Sequence, residues 1–78
     1  MGSRTANERK FGNWEPAANG GRIYRRLIAG RSGWLAAYCK EVDEQETTLR
    51  FWQEILDESG QLREIHEKFP VDRGHQKV

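Results

Sequence analysis

The stretch Thr47–Phe69, TTLRFWQEILDESGQLREIHEKF, constrains the fold more than any other part of this chain. At its centre Asp57-Glu58-Ser59-Gly60 has the form of a tight turn: an Asp side chain accepts bonds from the turn amides, and a closing Gly adopts positive φ without a Cβ clash. Before the turn, Leu49, Phe51 and Ile55 share one parity and Trp52 and Leu56 the other; after it, Ile65 and Phe69 share one parity and Leu62 lies opposite. If Asp57 pairs with Gln61, Leu56 faces Leu62 and Trp52 faces His66, to within one residue of register. The expected core is then Leu49, Phe51, Ile55, Ile65 and Phe69.

A helical reading competes. Leu49, Trp52 and Leu56 also fall at i, i+3 and i+7, and Asp43, Glu44 and Glu46 precede them where a helix N-terminus favours negative charge. Gly60 would be a C-terminal cap, and Leu62, Ile65 and Phe69 repeat the spacing before Pro70. Strands are preferred for three reasons. Thr47, Thr48, Phe51 and Trp52 favour a pleated surface, and Phe51 would leave the helical stripe. Gly30–Gly33, Asp43–Glu46 and Asp57–Gly60 separate four runs of similar length, as hairpin turns do. Arg22–Ala29 carries β-branched and aromatic residues between glycines.

The expected fold is therefore mainly β (or small α+β), an antiparallel four-stranded β-meander with a flexible N-terminal leader, the alternative being a small helical domain. Residues 1–21 form the leader, with Phe11 and Trp14 as its only anchors; residues 22–69 form the domain; residues 70–78 form an irregular tail. In the first strand Ile23, Arg25, Leu27 and Ala29 oppose Tyr24 and Ile28, and in the second Trp34, Ala36, Tyr38 and Val42 oppose Leu35, Ala37 and Cys39. With 78 residues the core is small. The single Cys39 leaves no internal disulfide and is expected to act as an inert small hydrophobe. No run has the length or apolarity of a membrane span or signal peptide, so a cytoplasmic location is expected.

The net charge of +1 argues against a generic polyanion binder, yet the charge is uneven. Residues 1–33 hold seven Lys/Arg against two acids, and residues 34–78 hold six against ten. Such a dipolar chain can pair its own halves or those of a neighbour.

Three constellations carry candidate chemistry. Glu64 and His66 share a strand face, and the Pro70–Gly74 turn can return Asp72 and His75 toward them, a set suited to a metal or to general base catalysis. Local salt bridges explain the same residues without any catalytic role. Arg22, Arg25, Arg26 and Arg31 with Tyr24 and Trp34 alternate guanidinium groups with rings, as a single-strand RNA or DNA platform does; pairing with Glu41, Asp43, Glu54 or Glu64 is the plainer account. Trp14, Trp34, Trp52 and Tyr38 exceed what a minimal core buries and suit an interface.

No phosphate-binding loop, dinucleotide fingerprint, CxxC pair, HExxH or nucleophile elbow is present, and no cofactor is implied. The favoured expectation is a non-enzymatic protein-binding or assembly module that buries an apolar sheet face, by self-association as a dimer or against a protein partner, with no membrane contact. Single-stranded nucleic-acid binding through Arg22–Trp34 is the second reading, and a small metal-dependent or acid-base hydrolase around His66 the third.

Overall fold

Turn chemistry dictates the architecture. The computed structural model describes residues 3–78: helix α1 (Arg4–Phe11) and strands β1 (Asn13–Pro16), β2 (Arg22–Ala29), β3 (Leu35–Val42), β4 (Thr48–Leu56), β5 (Leu62–Phe69) and β6 (Gly74–Lys77). The strands form one antiparallel sheet in the order β1-β2-β3-β4-β5-β6.

Three of the turns share one hydrogen-bond framework. Between β4 and β5, Asp57 N donates to Gln61 O and Gly60 N to Asp57 O, both at 2.9 Å. Between β3 and β4 the same roles fall to Asp43, Thr47 and Glu46, both bonds at 3.0 Å. Asp43 Oδ1 and Asp57 Oδ1 each accept two further amides inside their turns. The β1–β2 turn repeats the backbone bonds with Ala17, Gly20 and Gly21. The fourth residue is left-handed each time: Gly20 at φ 88°, Glu46 at 65° and Gly60 at 84°. Glu46 thus occupies a place that suits glycine.

The mainly β, antiparallel expectation holds, and Arg22–Ala29 is a strand as read. The strand count is corrected from four to six, and the helical alternative is corrected because Thr48–Leu56 and Leu62–Phe69 are both extended. The two extra strands lie in the segments read as leader and tail, and each is four residues long. Short edge strands, with Pro16 ending one of them, offer little template for further pairing. The leader also holds α1, capped by the Ser3 hydroxyl and closed by Gly12 at φ 82°.

Register shifts at three places: one between β3 and β4 leaves Leu49 as the extra residue, and two β-bulges between β4 and β5 reset the faces of β5. Leu56 is opposite Leu62, as expected, but Ile55 pairs with Glu64, leaving Arg63 as the extra residue. The expected Trp52–His66 pair is therefore shifted by one: Trp52 faces Glu67 and Gln53 faces His66. A second shift sets Phe51 opposite Phe69 with Lys68 extra.

The core consequently differs from Leu49, Phe51, Ile55, Ile65 and Phe69. Leu49 and Phe69 are exposed and the other three only half-buried, because the first bulge sends Ile65 to the face opposite Ile55. Two clusters, one on each sheet face, replace that core. On one face Phe11 from α1 packs with Tyr24 and Val42, supported by Tyr38 and Phe51. On the other, Trp52 covers Ala37 and Cys39, supported by Ile23. The helix is docked by a buried polar clamp: Glu46 Oε1 accepts from the Tyr24 hydroxyl at 2.6 Å and from Asn7 Nδ2 at 3.1 Å.

Candidate functional site

The histidine constellation does assemble, as two pairs placed back to back. Asp72 Oδ1 accepts from Gly74 N at 2.9 Å and lies 2.7 Å from His66 Nε2, so the Pro70–Gly74 turn is fastened to β5. The Gly74 amide and then His66 hold the Asp72 carboxyl below its ordinary range. His75 sits across the ladder from His66 with ring centroids 4.5 Å apart, and its Nδ1 is 3.5 Å from Glu64 Oε1. The remaining ring nitrogen of His66, Nδ1, is buried and has no hydrogen-bond partner. A base whose free nitrogen faces inward cannot reach a substrate proton without movement. Among the described residues, no group of three or more His, Cys, Asp or Glu side chains is arranged to hold a metal.

The arginine constellation is divided by strand alternation. Arg22 stacks on Trp14, its guanidinium carbon 3.6 Å from the ring centroid, and bonds Glu8 at 2.7 Å. The Glu8 bond raises the Arg22 pKa. Arg25 projects from the opposite face and pairs with Glu54 at 3.5 Å, one of the partners anticipated for these arginines. Arg26 returns to the Arg22 face and is exposed, while Arg31 lies in the β2–β3 turn. Tyr24 is fully buried beneath the helix, so it belongs to the clamp.

The three tryptophans have three different fates. Trp52 is core and Trp14 is 45% exposed under Arg22. Trp34, half-buried, forms an open depression of ≈ 510 Å³ with Leu35, Ala36 and Ile55, closed by the Gly30–Ser32 turn. Register puts Ala36, Ile55 and the exposed Ile28 on the helix-bearing face, and Ile28 also lines the neighbouring hollow that contains Lys10 and Phe11 of α1. Arg31 is the only charged residue in its wall.

Sequence reading missed the other end of that face, where Lys10, Lys40 and Lys68 stand beside Phe11, Tyr38 and Phe51. The signal lay in pairing: Lys40 opposite Phe51, with Tyr38 two residues before Lys40 on the same side. Only a known register brings them together.

Cys39 is fully buried, and burial pushes its thiol up to about 11. Alkylation by iodoacetamide at neutral pH is therefore expected to proceed only through opening of the sheet, accelerating steeply in urea; rapid labelling of the native protein would contradict this packing.

Comparison of the chain with protein-family models, with curated proteins and with solved structures finds no match.

Proposed function

We propose that this protein is a non-enzymatic assembly module that joins a second copy of itself through the apolar end of its helix-bearing sheet face. The observation that carries this reading is the open depression walled by Trp34, Leu35, Ala36 and Ile55, with Ile28 exposed nearby. Apolar walls facing water are an unused source of stabilisation, which a second chain would supply by covering them.

The rim favours an identical chain. A Cβ added to Gly33 would lie 3.3 Å from Glu58 Cβ, so the turn carrying Arg31 and the turn carrying Glu58 touch. Both charge signs therefore border the depression, and a two-fold contact can set Arg31 of one copy against Glu58 of the other.

Sedimentation equilibrium at micromolar concentration tests the proposal. A dimer is expected, converted to monomer by Ala36→Glu or Trp34→Ser in variants whose circular dichroism still reports the sheet. A single monomeric species across the micromolar range would overturn it.

A further inference from the structure

We infer that the groove between the C-terminal end of α1 and the sheet binds single-stranded nucleic acid, through a surface that adjoins the assembly contact at Ile28 but has its own basic and aromatic lining. The groove consists of two adjoining hollows, of ≈ 310 and ≈ 270 Å³, which share Lys10, Phe11 and Phe51. Lys40, Thr48 and Phe69 complete the first, and Arg26, Ile28 and Tyr38 the second.

Charge is the first argument. Every charged side chain lining the two hollows is a cation. None of Lys10, Arg26 and Lys40, nor the neighbouring Lys68, forms an ion pair among the described residues. The opposite face behaves differently: Arg25 pairs with Glu54, and Arg50 with Glu41 and Glu67. On the helix-bearing face Arg22 pairs with Glu8 and Arg4 with Glu46, so the cations without an ion pair on that face are gathered at the groove. Lys40 is the most demanding of them. It is half-buried, its Nζ donates to the neutral Asn7 Oδ1 at 2.9 Å, and burial with the nearby Lys10 lowers its pKa. An incoming anion relieves that cost.

Rings are the second argument, and they select the anion. Tyr38, Phe51 and Phe69 come from the three adjacent strands β3, β4 and β5: Phe51 lies directly opposite Lys40 on one side and Phe69 on the other, with Tyr38 on the diagonal. The bulge at Lys68 brings both Lys68 and Phe69 to this side: Lys68 Nζ lies 5.2 Å from the Tyr38 ring centroid and 5.8 Å from that of Phe51, while Phe69 shares the first hollow with Phe51. Phe69 is 45% exposed, a large apolar ring with no partner on one side. Cations alternating with accessible rings on a sheet match a polymer that alternates phosphates with flat bases. A rigid duplex keeps its bases stacked on one another and offers nothing to these rings, so the single strand is the ligand. Of the arginines singled out by sequence, only Arg26 lies here.

Fluorescence anisotropy of a labelled single-stranded RNA of mixed sequence, about fifteen nucleotides long to exceed one sheet-sized site, tests this. Binding is expected at low salt, weakening as salt rises. The paired variant Arg26→Glu/Lys68→Glu should weaken it by about tenfold or more and flatten the salt dependence. Phe69→Ser, which changes no charge at an exposed position, should weaken it by about fivefold or more. Arg73→Glu/Lys77→Glu, outside the groove and equal in charge change, controls for net charge, and thermal melts confirm that each variant is folded. Absence of binding at low salt would overturn the inference. So would equal affinity for the same sequence as a duplex, or indifference to Phe69→Ser, since either result leaves only unspecific attraction. Ala36→Glu separates the two proposals: loss of the dimer with RNA binding retained leaves this one standing, and the reverse pattern in Phe69→Ser leaves the assembly contact standing.

Discussion

Trp52→Ala is expected to lower the folding free energy by about 3–5 kcal/mol, the largest loss of any single substitution in this chain. Among the described residues no element covers the sheet face without the helix, and the indole is what keeps water from its centre. Cys39 lies directly opposite Trp52 across the ladder, and both Cys39 and Ala37 are fully buried beneath it. Small side chains at these two places let the indole lie down on the sheet. Its position is then fixed from outside: Nε1 donates to Glu54 Oε2 at 3.0 Å, and the Arg50 guanidinium stands 4.4 Å from the ring centroid. Glu54 also holds Arg25, so truncation would release a small ion-paired lid along with the ring. A domain this small has a total stability near the lower end of the usual 5–15 kcal/mol, and such a loss takes most of it. Urea denaturation followed by far-ultraviolet circular dichroism measures the change. Trp52→Phe, which keeps a flat ring over Cys39, should retain well over half of the stability lost in Trp52→Ala. A Trp52→Ala protein within about 1 kcal/mol of the parent would mean that the second cluster is not a core at all.

What sequence disclosed and what it hid divide along physical lines. The turns that delimit β2 to β5 were legible, through paired glycines at Gly30–Gly33, an Asp that accepts amides at Asp43, and an Asp with a closing Gly at Asp57–Gly60. Helix α1 was not legible, because only Asn7 and Phe11 are buried along it and one apolar residue makes no periodicity. The edge strands were hidden too, since four residues carry too few alternations. Bulges are the deeper obstacle. Parity was read correctly within β2 and β3, but Arg63 and Lys68 each insert a residue into β5, and apolar faces projected through them go astray. The same logic governs the candidate sites. His66, Asp72, His75 and Glu64 converge because Pro70 and Gly74 announce a return of the chain. The basic and aromatic groove draws on five elements and a bulge, so no stretch of sequence displays it.

Glu46 presents the sharper test, because two opposing effects meet in one residue. Its backbone stands at φ 65°, where the equivalent position of the next turn is Gly60, and a side chain there costs about 1 kcal/mol. Its carboxylate offsets that cost by holding the Tyr24 hydroxyl and the Asn7 amide, with Arg4 Nε 3.7 Å from Oε2. Glu46→Ala keeps the strain and leaves two buried donors without an acceptor, so a loss of about 2–4 kcal/mol is expected. Glu46→Gly loses the same bonds but relieves the backbone, and should be about 1 kcal/mol less damaging. The acid limb adds a second signature. Burial alone would raise the Glu46 pKa, but bonds from Tyr24 and Asn7, with Arg4 and Arg22 nearby, outweigh it and hold the value below 4.5. A carboxyl depressed on folding contributes stability above its unfolded pKa and loses it as pH falls through the folded value. The stability gap between the parent and Glu46→Gln should accordingly be constant above pH 4.5 and narrow below it. If Glu46→Gly is instead as damaging as Glu46→Ala, the left-handed turn carries no strain. If the gap persists unchanged into acid, the clamp works through shape and not through the charge that Tyr24 and Asn7 solvate.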